Sequence, residues 1–224
     1  MRIAGLLKGD ICQQWKYGFY GLYLILTVIY AGVLSIMPPD WKVTGTALII
    51  FSDPAALGMF FMGAVILLER SQRVLESLAV SPVRSEEYIV SKALSLSLIG
   101  TLAAAVLGVV GGSPSLPLLC IGTFTGAMLF SMVGLTAGAR ISTLNQFILV
   151  TVPVELLIFG PAILWGAGYQ PWLLGLHPGV AVYQLISGSV HWTALSLLLW
   201  LAMAFFAART AYIKMTRCLG GVTL

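Results

Sequence analysis

From Ala93 to Ala139 the chain carries no charged side chain, and from Ile141 to Ala208 it carries one, Glu155. A soluble fold of this size would need charged residues on the outer face of those stretches. Soluble domains average about 25% charged residues. This chain has 9%, with 59% hydrophobic residues and a mean hydropathy of +0.98. A soluble globular enzyme and a disordered chain are therefore excluded. The formal net charge of +4 and the isoelectric point near 9.1 would suit a nucleic-acid partner by sign alone. The cations instead flank apolar runs, which is how membrane proteins place them, so the expected partner is a lipid membrane and not nucleic acid. The fold class that follows is an all-α polytopic membrane protein.

Crossing the hydrocarbon core takes about 20 apolar residues in a helix. Six spans are expected. Five cover residues 18–37, 93–111, 116–139, 146–165 and 190–208. The first is too long for the apolar region of a cleaved signal peptide, and Met37-Pro38-Pro39-Asp40 reads as its exit into a loop. The second span is short. Asp53 and Glu69 enclose fifteen uncharged residues, about 22 Å of helix against a core of about 30 Å. Either it begins earlier, near Ala47, or other residues complete the crossing. Ser52-Asp53-Pro54 has the pattern of a helix start, with Pro in the first turn, and the helix is expected to run past Glu69.

Eleven of the twelve Lys and Arg residues fall on one side of this layout, and Lys42 alone falls on the other. Cytoplasmic segments of membrane proteins carry the excess of cations. Both termini and the loop 69–92 are therefore expected in the cytoplasm, in a multi-pass protein of the plasma or inner membrane.

Residues 1–17 place Ile3, Leu6, Leu7, Ile11 and Trp15 at helical spacing, with Lys8, Asp10, Gln14 and Lys16 elsewhere around the wheel. An amphipathic helix lying at the inner membrane surface is expected there. Residues 18–224 form the transmembrane domain. Its loop 69–92 reads as a short helix through Val74, Leu75, Leu78 and Ala79, a break at Ser81-Pro82, and a new helix capped by Ser85 with Glu86 and Glu87 in its first turn. Residues 166–189 are too apolar for a solvated loop and too broken to cross. A re-entrant or interfacial helical hairpin on the outside is expected, with Trp172 and Tyr183 at headgroup level. Glu155 sits about ten residues, roughly 15 Å, into the fifth span. A carboxylate at that depth is costly unless protonated, paired or facing water. It either lines a pathway or is a packed acid bonded to backbone freed by Pro153 and Pro161. Cys12, Cys120 and Cys218 have no metal or disulfide spacing. His177 and His191 are expected at the interface, with no role as metal ligands.

Glu69, then Leu75-Glu76-Ser77-Leu78, Ser81-Pro82, Glu87-Tyr88 and Lys92 resemble the signature of ABC-2 type permeases, the membrane subunits of a class of ATP-binding cassette exporters. Leu176-His177-Pro178 to Leu185 is similar to the family's stretch before the last span. The chain departs from the pattern at Val74, where Thr is common, and at Gly188, where a basic residue is common. The resemblance implies that the loop helix is a coupling helix, with Arg73, Val74, Leu75, Glu76, Leu78 and Pro82 docking a separate cytoplasmic ATPase. It also implies two ATPase copies and a second permease subunit, identical or related. The chain has no G-x-x-x-x-G-K-[ST] phosphate loop, so no catalytic residue or cofactor is expected in it; ATP and Mg would sit on the partner. Two other functions stay open on sequence alone, an intramembrane enzyme acting on a lipid-like substrate and a membrane scaffold or assembly factor.

Overall fold

The computed structural model describes residues 2–52, 56–79, 81–190 and 193–219. Among these it contains ten α-helices and no strand: α1 (Arg2–Lys16), α2 (Phe19–Ile36), α3 (Pro39–Ile50), α4 (Ala56–Ser71), α5 (Val74–Ala79), α6 (Ser85–Gly111), α7 (Leu116–Gly138), α8 (Leu144–Gly166), α9 (Pro178–Ile186) and α10 (Thr193–Leu219). Five of them, α2, α6, α7, α8 and α10, are long and apolar enough to cross a bilayer. They overlap the five full-length spans read from the charge-free runs, with α6 starting before Lys92 and α10 running on past Arg209.

The second expected span takes another form. The expected loop after Pro38 is absent, because Pro39 opens α3 at once with Asp40 in its first turn. Proline suits a first helical turn, where its missing N–H would go unpaired anyway. α3 spans about 18 Å and α4 about 24 Å, each short of a full crossing. α3 packs beside the far end of α6, where Thr46 meets Gly111, and α4 lies along the lower part of α7. A Cβ added at Gly134 of α7 would strike the Met59 backbone, so glycine permits this close approach. Asp53 and Pro54 of the expected helix start lie outside the described residues. α4 does continue past Glu69.

Two apolar cores form at the two ends of the bundle. One gathers Ile50, Phe51, Leu119, Phe130 and Tyr183; the other gathers Met62, Ile66, Leu75, Tyr88 and Tyr212. The segment 166–189 makes a 3-10 turn at Leu174–Leu176 and then α9, whose residues are all buried. Tyr183 is therefore packed inside the bundle. It is 6% exposed and meets Phe51 edge-on at 6.1 Å, whereas Trp172 is 68% exposed. His177 caps α9: its Nδ1 accepts the Gly179 N–H at 3.2 Å. Burial holds its pKa below the ordinary value, which keeps the imidazole neutral and able to accept. His191 lies outside the described residues.

Candidate functional site

The end of the bundle that carries α1 and α5 holds nearly all the cations, and one of them is deeply buried. Lys92 opens the apolar part of α6, and its side chain is 5% exposed. Its Nζ lies 2.5 Å from Glu69 Oε1 of α4 and 2.8 Å from Asp10 Oδ1 of α1. The remaining carboxylate oxygens are also served. Tyr88 donates to Glu69 Oε2 at 2.5 Å, and Ser91 donates to Asp10 Oδ2 at 2.5 Å. The ammonium also lies 4.9 Å from the centre of the Tyr88 ring, close enough for cation–π attraction. One turn on, Gln14 of α1 donates to Ser95, which donates in turn to the Lys92 carbonyl. Three helices distant in sequence are thus locked by one polar cluster holding two carboxylates and one ammonium.

α1 is helical as expected, but its polar residues divide between water and the interior, with Lys8 and Lys16 exposed. Asp10 and Gln14 turn inward, while Ile3 and Trp15 are exposed, Trp15 by 72%. The reason is Lys92: a buried ammonium needs counter-charge, and the inward face of α1 supplies part of it. Gly18, in the left-handed region at φ 77, turns the chain from α1 into α2.

α5 sits against this cluster. Arg73 breaks α4 from α5 with φ 57, the one non-glycine positive φ among the described residues. Leu75 is fully buried in the core with Tyr88 and Tyr212, so it anchors the helix and is not part of an outward apolar face. Arg73, Glu76 and Ser77 are exposed, with Arg73 Nε 3.9 Å from Glu76 Oε1. Val74 and Leu78 are half-buried and line a groove of about 360 Å³ between α5 and α1, floored by Asp10, Glu69 and Lys92. Ser81 closes the last turn of α5 by donating to the Leu78 carbonyl, and the chain breaks at Pro82. α6 then starts one residue earlier than a Ser85 cap would place it: Arg84 is the cap, and its N–H donates to Glu87 Oε2 at 2.9 Å. On the far side, Tyr212 of α10 stacks on Tyr88 at 4.5 Å, and Arg209 pairs with Glu86 at 2.5 Å.

Comparison with known proteins decides the family. The profile of the fluoroquinolones export permease protein family matches residues 1–216. The chain belongs to that family. Two Mycobacterium tuberculosis proteins, each named a fluoroquinolones export permease protein, are similar to it, one from the Oshkosh strain and one from H37Rv. Each is 23% identical over 173 residues, covering 76% of this chain and 73% of the relative. The chain is thus a multi-pass membrane permease of an export family.

The permease keeps Glu155 apart from the cluster. It lies midway along α8 between Pro153 and Pro161, half-buried, beside the exposed Leu156 and Leu157. No described residue bonds its carboxylate, so the reading in which freed backbone accepts its proton gains nothing from the structure. Sequence reasoning named Glu69, Tyr88 and Lys92 together through the motif, and the permease brings all three into contact. It missed Asp10 and Gln14. The available signal was Lys92 itself, a cation at the head of a charge-free span.

Proposed function

We propose that the permease is the membrane subunit of an ABC-2 type exporter, driven by ATP and Mg bound to a separate ATPase. The reading makes α3 and α4 together the sixth crossing, with both termini and α5 in the cytoplasm of a plasma- or inner-membrane protein. Two permease subunits and two ATPases form the working unit. The cargo is an amphiphilic drug-like compound, fluoroquinolones being what the M. tuberculosis relatives are named for.

The observation that carries this reading is the Asp10–Lys92–Glu69 cluster beneath α5. A helix of six residues has little stability alone. Here Leu75 ties α5 to the core that holds Tyr88 and Tyr212, while the cluster clamps α1, α4 and α6. A displacement of α5 is therefore passed to the tilt of those helices. Val74 and Leu78, with the facing side of α1, offer the ATPase an apolar-walled groove over the Asp10–Lys92–Glu69 cluster.

The test is affinity purification of the tagged permease from native membranes, followed by drug uptake into inverted vesicles. An ATPase should co-purify and uptake should need ATP. Leu78→Asp places a charge in the groove and should abolish ATPase recovery at normal membrane levels; undiminished recovery would sink the docking assignment. Cysteines at positions 84 and 217 of a cysteine-free permease should resist an impermeant thiol reagent in intact cells, and one at position 42 should react. Labelling at 84 from outside would reverse the orientation.

A further inference from the structure

Three cations at the basic end are paired with carboxylates. Among the described residues, Lys92 pairs with Asp10 and Glu69, Arg73 with Glu76, and Arg209 with Glu86. Arg70, Arg140 and Lys214 pair with no carboxylate, yet α4, the α7–α8 turn and α10 bring all three to the wall of one cavity of about 480 Å³. Arg70 is held in place by donating from Nη1 to the Ile141 carbonyl at 3.3 Å, next to Arg140. Three cations from three elements around one cavity, with no acid among its lining residues, form a site built for an anion.

The anion's chemistry is set by what adjoins the cavity. Arg140 also lines a second hollow of about 370 Å³ between α7, α8 and α10. Its walls are Val133, Ala137, Val150, Val154, Ala204 and Ala207, all within membrane-spanning helices. From Lys214 to Ala204 along α10 is about 15 Å, and from Arg140 to Val133 along α7 about 10 Å. The hollow thus runs from the basic mouth through much of one leaflet, whose apolar half-thickness is about 15 Å. A soluble partner could fill the mouth but not a slot at that depth.

We propose that mouth and slot are one binding site for an anionic phospholipid of the leaflet at the basic end. Its phosphate lies among Arg70, Arg140 and Lys214, and one acyl chain lies along α7, α8 and α10. Arginine donates two parallel N–H bonds to a phosphate, and lysine adds a point charge. Basic pockets between membrane helices suit anionic headgroups on these grounds. The site does not depend on the ATPase reading, because it needs only the membrane-spanning helices. Bound there, a lipid would cross-brace α4, α7 and α10, helices the polar cluster reaches only in part.

The experiment is native mass spectrometry of the purified permease in detergent, titrated with phosphatidylglycerol, with phosphatidylcholine of the same chains, and with inorganic phosphate. The intact protein should retain phosphatidylglycerol about tenfold better than phosphatidylcholine, a ratio within reach of two or three charge-assisted bonds. The Arg140→Gln/Lys214→Gln variant should lose most of that preference, Arg140→Lys should keep part of it, and Lys42→Gln, at the other end of the bundle, should keep all of it. Val154→Trp should fill the slot and weaken phosphatidylglycerol retention. Equal retention of the two lipids by the intact protein would overturn the site without recourse to any variant. Full displacement of phosphatidylglycerol by inorganic phosphate, or no effect of Val154→Trp, would mean a free-anion mouth with no lipid slot. Loss of phosphatidylglycerol binding on adding the purified ATPase would assign the mouth to the protein partner and overturn the lipid assignment.

Discussion

The basic end and α8 solve the membrane problem in opposite ways. At the basic end each charged group inside the fold has a partner: Lys92 has two carboxylates, and those carboxylates have Tyr88 and Ser91. α8 leaves Leu149, Leu156 and Leu157 exposed by 76%, 68% and 70%, and leaves Glu155 with no partner among the described residues. Lipid tails are as apolar as leucine, so exposed leucines on a span cost nothing. A buried charge stripped of its partner costs several kcal/mol. The fold at the basic end is therefore specified by polar contacts and intolerant of change, whereas α8 is specified weakly and its outward face is free to meet lipid or a second copy of the permease.

Four substitutions would sharpen this contrast. The largest expected effect is that of Lys92→Met, which leaves two carboxylates buried together. A loss of about 3–5 kcal/mol is expected, read as a large drop in the thermal midpoint in detergent, and a wild-type midpoint would show that the cluster is solvated. Leu75→Ala should follow, at about 2–5 kcal/mol for a buried leucine. Because that residue faces the core, its effect should be on stability of the permease alone, without the ATPase present. Glu76→Ala removes an exposed pair and should change stability by less than about 1 kcal/mol. A shift comparable to that of Leu75→Ala would mean α5 packs through the other face. Glu155→Gln is nearly isosteric and should leave the thermal midpoint where it is while changing transport across a substrate panel. Unaltered transport of every compound would remove Glu155 from the pathway.

Much of the fold could be read from charge alone. Runs without charge, ended by Lys92, Arg140 and Arg209, marked α7 and α8 to within a few residues and located α6 and α10, which run on past Lys92 and Arg209 into the charged end, because in hydrocarbon a charge near a helix centre is expensive whatever surrounds it. What was misread depended on neighbours. Pro38-Pro39 marks the end of one helix and equally the first turn of another, and only α3 packing on α6 decides between them. Tyr183 fits the aromatic belt by type, yet α9 carries it into contact with Phe51. Leu75 and Leu78 share one short apolar stripe, and only the presence of Tyr88 and Tyr212 on one side sends Leu75 inward. Asp10 was hidden for the same reason: an interfacial helix has a polar face, and nothing local says that this face meets Lys92, 82 residues away.

The cluster holds one more carboxylate than ammonium, and this asymmetry allows a direct test of whether it transmits motion between α5 and the spans. Asp10→Asn removes the surplus charge, keeps the Lys92–Glu69 pair and frees α1 from its ionic tie. The measurement is ATP hydrolysis by the purified permease–ATPase complex with and without a transported drug. The variant complex should assemble, with stability within about 1 kcal/mol of the parent, and should lose most of the drug stimulation while keeping basal hydrolysis. Full drug stimulation in an assembled Asp10→Asn complex would contradict the coupling role assigned to the α1–α4–α6 cluster.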